Sequence, residues 1–281
     1  MDRQGWIVAE DGARLHHVER STGGAADAAA GPVILLHSLF FSGAMFDDLL
    51  DRLPAGLRCV RPDHRGQGRS ETGRNAPSIE RLADDTIALI EALGGRPAHL
   101  VGSSMGGYVA LAVLRRRPEL VASAVLSCCT AQPEIQVERF AALENALRTK
   151  GAAALVDAIA ATMFGTRFIE GGIDGSGERL QRWRAAFAEV DDRIADAVHG
   201  VAGRTSFVES LPAIRVPLQL VSGALDAAKR PDDMQFIADR VSGSRHVTLE
   251  QSGHTPPVED PDAFAAILRR FWTDIGLVPA A

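Results

Sequence analysis

Short runs of apolar residues alternate along this chain with longer stretches in which apolar residues recur at helical spacing. Six runs are bounded by polar or turn-forming residues and fit buried strands, namely 33–36, 58–60, 99–101, 122–126, 218–221 and 246–249. Between them, positions such as Ile79, Leu82 and Ile90 follow the period of an amphipathic helix. This alternation predicts an α/β fold with a mostly parallel, doubly wound sheet.

The two ends of the chain depart from this alternation. Apolar stretches at 6–8 and 15–18 flank Asp11-Gly12, and Asp-Gly between such stretches predicts an antiparallel hairpin. Residues 21–31 are almost all Gly, Ala, Ser and Thr, so we expect a flexible surface connection there. The last helix is expected to follow Asp260, with Pro261 in its first turn.

A long interruption separates the fourth of these strands from the fifth. Residues 131–211 show helical stripes, such as Leu155, Ile159 and Met163, but no convincing strand. We therefore predict a helical cap at 131–211, inserted between two parts of one α/β core at 1–130 and 212–281. A length of 281 residues suits one large domain carrying an insertion.

Composition and charge exclude several classes of protein. The chain has 30 basic and 36 acidic residues, and a net charge of -6 argues against nucleic acid as the main partner. Its 5% of aromatic residues also argue against a surface for stacking single-stranded bases. The polar start and the absence of a long apolar run lead us to expect a cytoplasmic protein without a membrane partner. The sequence gives no indication of the oligomeric state.

No cofactor or metal site is predicted. Residues 66–68 read Gly-Gln-Gly after a strand, but a dinucleotide fingerprint needs a third glycine at position 71, which is Glu71. His16 and His17 are adjacent on a predicted strand, so their side chains would point to opposite faces. The three cysteines have no Cys-x-x-Cys spacing, which argues against a zinc site or a disulfide framework.

The most informative motif is Gly-x-Ser-x-Gly at 102–106, between a predicted strand and a predicted helix. This context places Ser104 in a sharp turn that exposes its hydroxyl, and side chains at the flanking glycines would clash there. The helix N-terminus adds N–H groups that favour negative charge developing beside the serine. A tight turn without chemistry also uses Gly and Ser, but the combined context favours Ser104 as a nucleophile.

A serine nucleophile needs a base, and the base needs a third group to orient it. Asp226 follows the predicted strand 218–221, and His254 follows the predicted strand 246–249. The carboxyl ends of parallel strands lie at one edge of the sheet, so we predict that both residues join Ser104 as a catalytic set. Considered alone, Asp226 is also consistent with an ordinary carboxylate in a turn, and His254 is also consistent with an ordinary surface histidine.

These motifs together resemble the α/β-hydrolase superfamily, whose catalytic residues follow the chain order Ser, acid, His. The resemblance covers about residues 5–275 and also rests on the segments 37–39, 63–70 and 259–261. It implies an oxyanion hole made by the backbone N–H groups of Met105 and Leu39, and a structural role for His37. Family members usually have Gly where this chain has Ser38.

The chain looks most similar to the enol-lactone hydrolase and small-molecule esterase branch. The resemblance therefore implies a serine hydrolase that cleaves a small-molecule carboxylic ester or lactone through an acyl-enzyme on Ser104. Carbon–carbon bond hydrolases, proline-type aminopeptidases and perhydrolases use the same triad and stay open as alternatives. A non-catalytic ligand receptor is the alternative from another class.

Two further choices arise at this stage. Glu134 lies eight residues beyond the strand that ends at Leu126 and is the nearest rival acid, but it already enters the predicted cap, so Asp226 is clearly preferred. On the predicted cap, Arg139 or Arg184 could pair with a carboxylate of the substrate, although solvated surface positions are the default for arginine.

Overall fold

The centre of the molecule is a twisted sheet flanked by helices. The computed structural model describes residues 2–23 and 30–279. Within these ranges the sheet has eight strands: β1 (Arg3–Val8), β2 (Arg14–Ser21), β3 (Val33–Leu36), β4 (Arg58–Pro62), β5 (Ala98–Ser103), β6 (Val121–Ser127), β7 (Leu218–Gly223) and β8 (Arg245–Leu249).

The strand order is β1-β2-β4-β3-β5-β6-β7-β8. All pairs from β4 to β8 are parallel, whereas β1 pairs with β2, and β2 with β4, in antiparallel fashion. The central strand β3 is buried along its whole length, as an apolar strand covered on both faces must be. The doubly wound α/β fold and the N-terminal hairpin predicted from the sequence are confirmed.

Helices connect the strands and cover the sheet. The described ranges contain the α-helices α1 (Asp47–Leu50), α2 (Ile79–Ala92), α3 (Met105–Arg116), α4 (Val137–Lys150), α5 (Val156–Met163), α6 (Thr166–Ile169), α7 (Ser176–Ala188), α8 (Ile194–Ala202), α9 (Pro231–Ala238), α10 (Pro256–Glu259) and α11 (Pro261–Asp274). Short 3-10 helices lie at Gly43–Phe46, Pro118–Leu120, Ala152–Leu155 and Val208–Ala213.

Local sequence explains where the main helices begin. The Ser78 hydroxyl caps α2 by accepting the N–H of Arg81, and the Asp260 carboxylate caps α11 by accepting the N–H of Ala263. Pro261 occupies the first turn of α11, as predicted. Helix α3 is buried from residue 105 to 114, so its start, next to the Gly-x-Ser-x-Gly motif, is fixed within the core.

Helices α4 to α8 lie between β6 and β7, and we call them the helical insertion. Aromatic rings join this insertion to the loop after β3. The ring of Phe41 in that loop lies 4.6 Å from the ring of Trp183 and 5.2 Å from that of Phe187, both on α7. Edge-to-face and tilted contacts of this kind add to the stabilisation from apolar burial.

Positions 24–29, in the connection predicted at 21–31, lie outside the described residues. Among the helices at 2–23 and 30–279, none has the length and apolar character needed to cross a membrane.

A buried arginine ties the N-terminal hairpin to the loop after β4. Arg65 donates to both carboxylate oxygens of Asp85 on α2 at 2.7 Å and to Asp11 in the hairpin turn at 2.8 Å. The side chain of Arg65 is fully buried. Its hydrogen bonds hold the pKa of Asp11 well below the usual range. These two ion pairs anchor the 63–70 loop. In the same loop, the backbone N–H of His64 donates to the ring of His37.

We predict that Arg65→Met lowers the free energy of unfolding by about 3–5 kcal/mol, because it leaves the buried carboxylate of Asp85 and the partly buried one of Asp11 without their cation. Urea unfolding followed by circular dichroism measures this loss. Arg117→Met serves as the control, since Arg117 pairs with Glu91 and Glu119 at the surface and is expected to matter much less. Equal stability of Arg65→Met and wild type would contradict the role of Arg65.

Candidate active site

Ser104 lies in a sharp turn between β5 and α3. Its backbone has a φ of 50° and a ψ of -109°, which a residue with a side chain adopts only under strain. The Ser104 N–H donates to the carbonyl of Ser127 on β6 at 2.8 Å, and the Ser104 carbonyl accepts from Gly107 and Tyr108 at 2.9 and 3.1 Å. The neighbouring strand and the first helical turn therefore hold the strained residue in place.

Glycines allow three backbone segments to approach one another around Ser104. A Cβ atom on Gly102 would overlap the carbonyl oxygen of Gly106, and a Cβ on Gly106 would overlap that of Leu36 on β3. Because the overlapped atoms are backbone atoms, they cannot rotate away. The packing of the turn therefore requires both glycines of the motif.

The imidazole of His254 lies between the other two predicted residues. Its Nε2 is 2.8 Å from the Oγ of Ser104, and its Nδ1 is 2.8 Å from Oδ2 of Asp226. All three side chains are buried. If Nδ1–H donates to Asp226, Nε2 is free to accept the proton of the Ser104 hydroxyl. The structure brings together the three residues that the sequence predicts as catalytic.

The sheet topology explains how these distant residues meet. Strands β5, β6, β7 and β8 are parallel neighbours, so their carboxyl ends lie on the same edge. Ser104 follows β5, Asp226 follows β7 and His254 follows β8. This is the edge at which open α/β sheets bind ligands.

Both oxygens of the Asp226 carboxylate have fixed partners. Oδ1 accepts from the backbone N–H groups of Ala228 and Lys229 at 2.7 and 2.8 Å, which leaves Oδ2 for His254. The rival acid, Glu134, forms no hydrogen bond with His254 in the described part of the chain. The geometry thus favours Asp226 as the partner of His254.

Two backbone N–H groups near Ser104 have no acceptor in the described part of the chain. Met105 and Leu39 both line the cavity that contains Ser104, and within residues 2–23 and 30–279 neither N–H donates to another protein group. The next N–H in the loop, that of Phe40, is already donated to Oε1 of Gln67 at 3.2 Å. These donors match the pair implied by the family resemblance, and they suit a developing oxyanion.

The loop after β3 tolerates Ser38 because its strained residue is a different one. The positive φ of this loop, 70°, lies at Phe40. The Ser38 carbonyl accepts from Nδ1 of His37 at 2.8 Å, and Nε2 of His37 accepts the N–H of His64 at 2.9 Å. Burial lowers the pKa of His37, so its ring stays neutral and holds the loop.

Glu259 was not predicted as a site residue, but its carboxylate organises the segment that carries His254. Its oxygens accept the N–H groups of Gly253, Thr255 and Gly165, each at 2.8 Å. Glu259 is completely buried, and burial raises the pKa of its carboxyl group. It therefore fixes both neighbours of His254 and joins them to the helical insertion. In the sequence, Glu259 belongs to the segment 259–261 that contributes to the family resemblance, but no local pattern assigns it this role.

A cavity of about 200 Å³ opens beside the Ser104 hydroxyl. Ser104 and His254 form part of its wall. The helical insertion supplies apolar and small side chains to the rest of the wall, including Phe140, Leu143, Ala158, Ile159, Met163 and Val201. A mostly apolar cavity with a few convergent polar groups is typical of a small-molecule site.

The described residues show no arrangement that would hold a metal. No group of three or more His, Cys, Asp and Glu side chains converges there. Cys59, Cys128 and Cys129 are free and buried. Burial raises the pKa of Cys59 and Cys129 to about 12, so these thiols stay protonated near neutral pH.

We predict that Glu259→Gln lowers kcat about tenfold to a hundredfold with a smaller change in KM. The amide nitrogen cannot accept the N–H groups that the carboxylate receives, so the backbone on either side of His254 shifts, and small displacements of reacting groups are costly. Steady-state kinetics on an ester substrate measures both constants. Glu250→Gln, at an exposed position near the same segment, is the matched control. A kcat within about twofold of wild type would rule out this positioning role.

Comparison with known proteins places this geometry in a family. A profile of the alpha/beta hydrolase family matches residues 33–267. Among curated proteins, the chain is 30% identical over 251 residues to the pimeloyl-(acyl-carrier protein) methyl ester esterase of Neisseria meningitidis. That match covers 86% of this chain and 77% of the relative.

Solved structures give the same result. A thermophilic esterase from Thermogutta terrifontis superposes with a TM-score of 0.85 and 25% identity, over 97% of this chain and 99% of that one. The enol-lactonase from Burkholderia xenovorans LB400 also has a TM-score of 0.85 and 25% identity, over 96% and 100% of the two chains. By sequence profile, curated relative and fold alike, the chain belongs to the alpha/beta hydrolase family.

Proposed function

We propose that this protein is a serine hydrolase that cleaves a small-molecule carboxylic ester or lactone through an acyl-enzyme on Ser104. The observation that carries the proposal is the pair of 2.8 Å hydrogen bonds from Ser104 through His254 to Asp226, in the wall of an apolar cavity. Membership of the family and similarity to its esterases and lactonases support an α/β-fold hydrolase that acts on ester bonds.

In the first step, the Oγ of Ser104 attacks the carbonyl carbon of the ester while Nε2 of His254 takes the hydroxyl proton. The carboxylate of Asp226 stabilises the imidazolium that forms. The backbone N–H groups of Met105 and Leu39 bind the negative oxygen of the tetrahedral intermediate. Each such donor typically contributes about 3–4 kcal/mol to the stability of the transition state.

In the second step, the intermediate collapses and the alcohol leaves with the proton from His254, which creates the acyl-enzyme on Ser104. A water molecule then attacks the acyl carbon and gives a proton to the same Nε2. Collapse of the second intermediate releases the acid, and the proton returns to Ser104. With a lactone, the alcohol and the acid are parts of one product.

The same proposal assigns a role to the helical insertion. We propose that residues 131–211 form a cap over the site, with 1–130 and 212–281 as the two parts of the hydrolase core. Side chains of α4, α5 and α8 in the cavity wall support this division. A cap that excludes water strengthens the electrostatic interactions at the reacting carbonyl.

We predict that a fluorophosphonate probe labels the wild-type protein at Ser104 and does not label Ser104→Ala. Intact-protein and peptide mass spectrometry measure the added mass and its position. The matched control is Ser103→Ala, because Ser103 is the adjacent buried serine and its hydroxyl has no partner among the described residues. Ser103→Ala is expected to keep the label. An unlabelled wild type would favour a non-catalytic receptor.

A turnover screen separates the hydrolase classes that share this set of residues. We expect hydrolysis of small esters or lactones, with Ser104→Ala reduced by a factor of about 10⁴ or more. Amino-acid anilides, carbon–carbon bond substrates and a perhydrolysis assay belong in the same screen. If the wild type turns over one of these other substrates in preference to esters and lactones, and Ser104→Ala does not, the substrate assignment is wrong. The assignment of Ser104 as the nucleophile would then still hold.

A further inference from the structure

The cavity wall carries charged side chains that acyl transfer does not use. Glu134, Arg139 and Lys229 line the same cavity as Ser104 and His254. Charged groups are uncommon in the wall of a mostly apolar cavity, because removing them from water is unfavourable unless something compensates for the charge. The contacts of these side chains therefore indicate what the cavity binds.

Their hydrogen bonds leave a positive charge without a carboxylate of its own. A single oxygen, Oε2 of Glu134, accepts from Nη1 of Arg204 at 3.0 Å and from Nζ of Lys229 at 3.3 Å. The side chains of Arg204 and Glu134 are almost inaccessible, and that of Lys229 is 13% exposed. Two cations thus share one anion in a buried setting.

Glu134 remains ionised in this cluster. Burial alone would raise its pKa, but the N–H of Gln136 and the two neighbouring cations outweigh that effect, so the pKa of Glu134 is lowered. The cluster of Glu134, Arg204 and Lys229 therefore carries one net positive charge. Arg139, which contacts the side chain of Gln136 and also lines the cavity, adds a second cation.

Lys229 is the member of the cluster best placed to meet a ligand. Its backbone N–H donates to Asp226, which fixes its position relative to His254. Its ammonium group has three N–H bonds, and Glu134 is its hydrogen-bond partner among the described residues. N–H bonds thus remain for a second acceptor, and Lys229 lines the cavity. The other lysine of the chain, Lys150, is exposed at the end of α4.

We infer that Lys229 forms an anion subsite in the substrate cavity, and that the preferred ester or lactone carries an additional ionised carboxylate that pairs with it. This inference rests on the proposed function and extends it to a substrate class. A charge-assisted hydrogen bond in a largely buried site discriminates strongly against a neutral group, which leaves the ammonium without its second partner. Arg184, the other arginine considered from the sequence, pairs with Asp157 and is not part of this wall.

The test compares two esters of equal chain length, monomethyl adipate and methyl hexanoate, which differ by the terminal carboxylate. With wild type, kcat/KM is expected to be about tenfold to a hundredfold higher for the charged ester. Lys229→Met is expected to remove most of this preference, whereas Lys150→Met, the matched control at an exposed lysine, keeps it. An equal preference in Lys229→Met and wild type overturns the inference.

A second variant distinguishes the specific loss of the Lys229 charge from general damage to the cavity. Glu134→Gln removes the anion shared by Arg204 and Lys229, so the preference for the charged ester is expected to rise. Lys229→Met and Glu134→Gln thus change the ratio of the two kcat/KM values in opposite directions, which a partly unfolded site does not do. A fall in this ratio for Glu134→Gln also overturns the inference.

Binding to Ser104→Ala separates this inference from the proposed function. Calorimetry with the same two esters measures affinity without turnover, and the charged ester is expected to bind about tenfold tighter or more. Tighter binding without turnover by wild type would reject the proposed hydrolysis of esters while leaving the anion subsite intact. If the wild type turns over both esters but Ser104→Ala binds them equally or binds neither, the anion subsite is rejected. The proposed hydrolase function would then still hold.

Discussion

The strained backbone of Ser104 is the constraint on which the rest of the site depends. A residue with a φ of 50° is stable only where its surroundings fix it, and here β6 and the first turn of α3 supply the hydrogen bonds. Gly102 and Gly106 permit the close approach that this requires. The same turn directs the Ser104 hydroxyl towards His254 and leaves the N–H of Met105 available at the cavity wall. One local conformation thus positions both the hydroxyl and an N–H donor.

Buried polar groups then hold the loops that complete the site. Asp226 is fixed by two backbone N–H groups as well as by His254, and Glu259 receives N–H groups from both neighbours of His254. These carboxylates are costly to bury, and their full sets of hydrogen bonds compensate for that cost. Arg65 performs a similar task in the loop after β4, whose His64 contacts His37. The sheet sets the approximate positions and these carboxylates set the final geometry.

The sequence predicts the strands, the hairpin, the starts of α3 and α11 and the positions of Ser104, Asp226 and His254, because each depends on a local pattern or on its place after a strand. It does not predict the role of Glu259, the positive φ of Phe40 or the cluster around Lys229. These depend on contacts between residues far apart in the chain, such as the 95 positions between Glu134 and Lys229. A buried acid and a surface acid look alike until the fold is known. The extent of the cap at 131–211 stays a prediction for the same reason.

We propose that the Ser104 hydroxyl, activated by His254 and Asp226, becomes covalently acylated during turnover. Rapid acid quenching of the wild-type protein during hydrolysis of a slowly deacylated ester, followed by peptide mass spectrometry, tests it most directly. We expect the acyl mass on the peptide containing Ser104, at a level that rises in a burst before the steady state. Turnover with the acyl group on another residue, or with no acyl group on the protein at any time, would contradict the account.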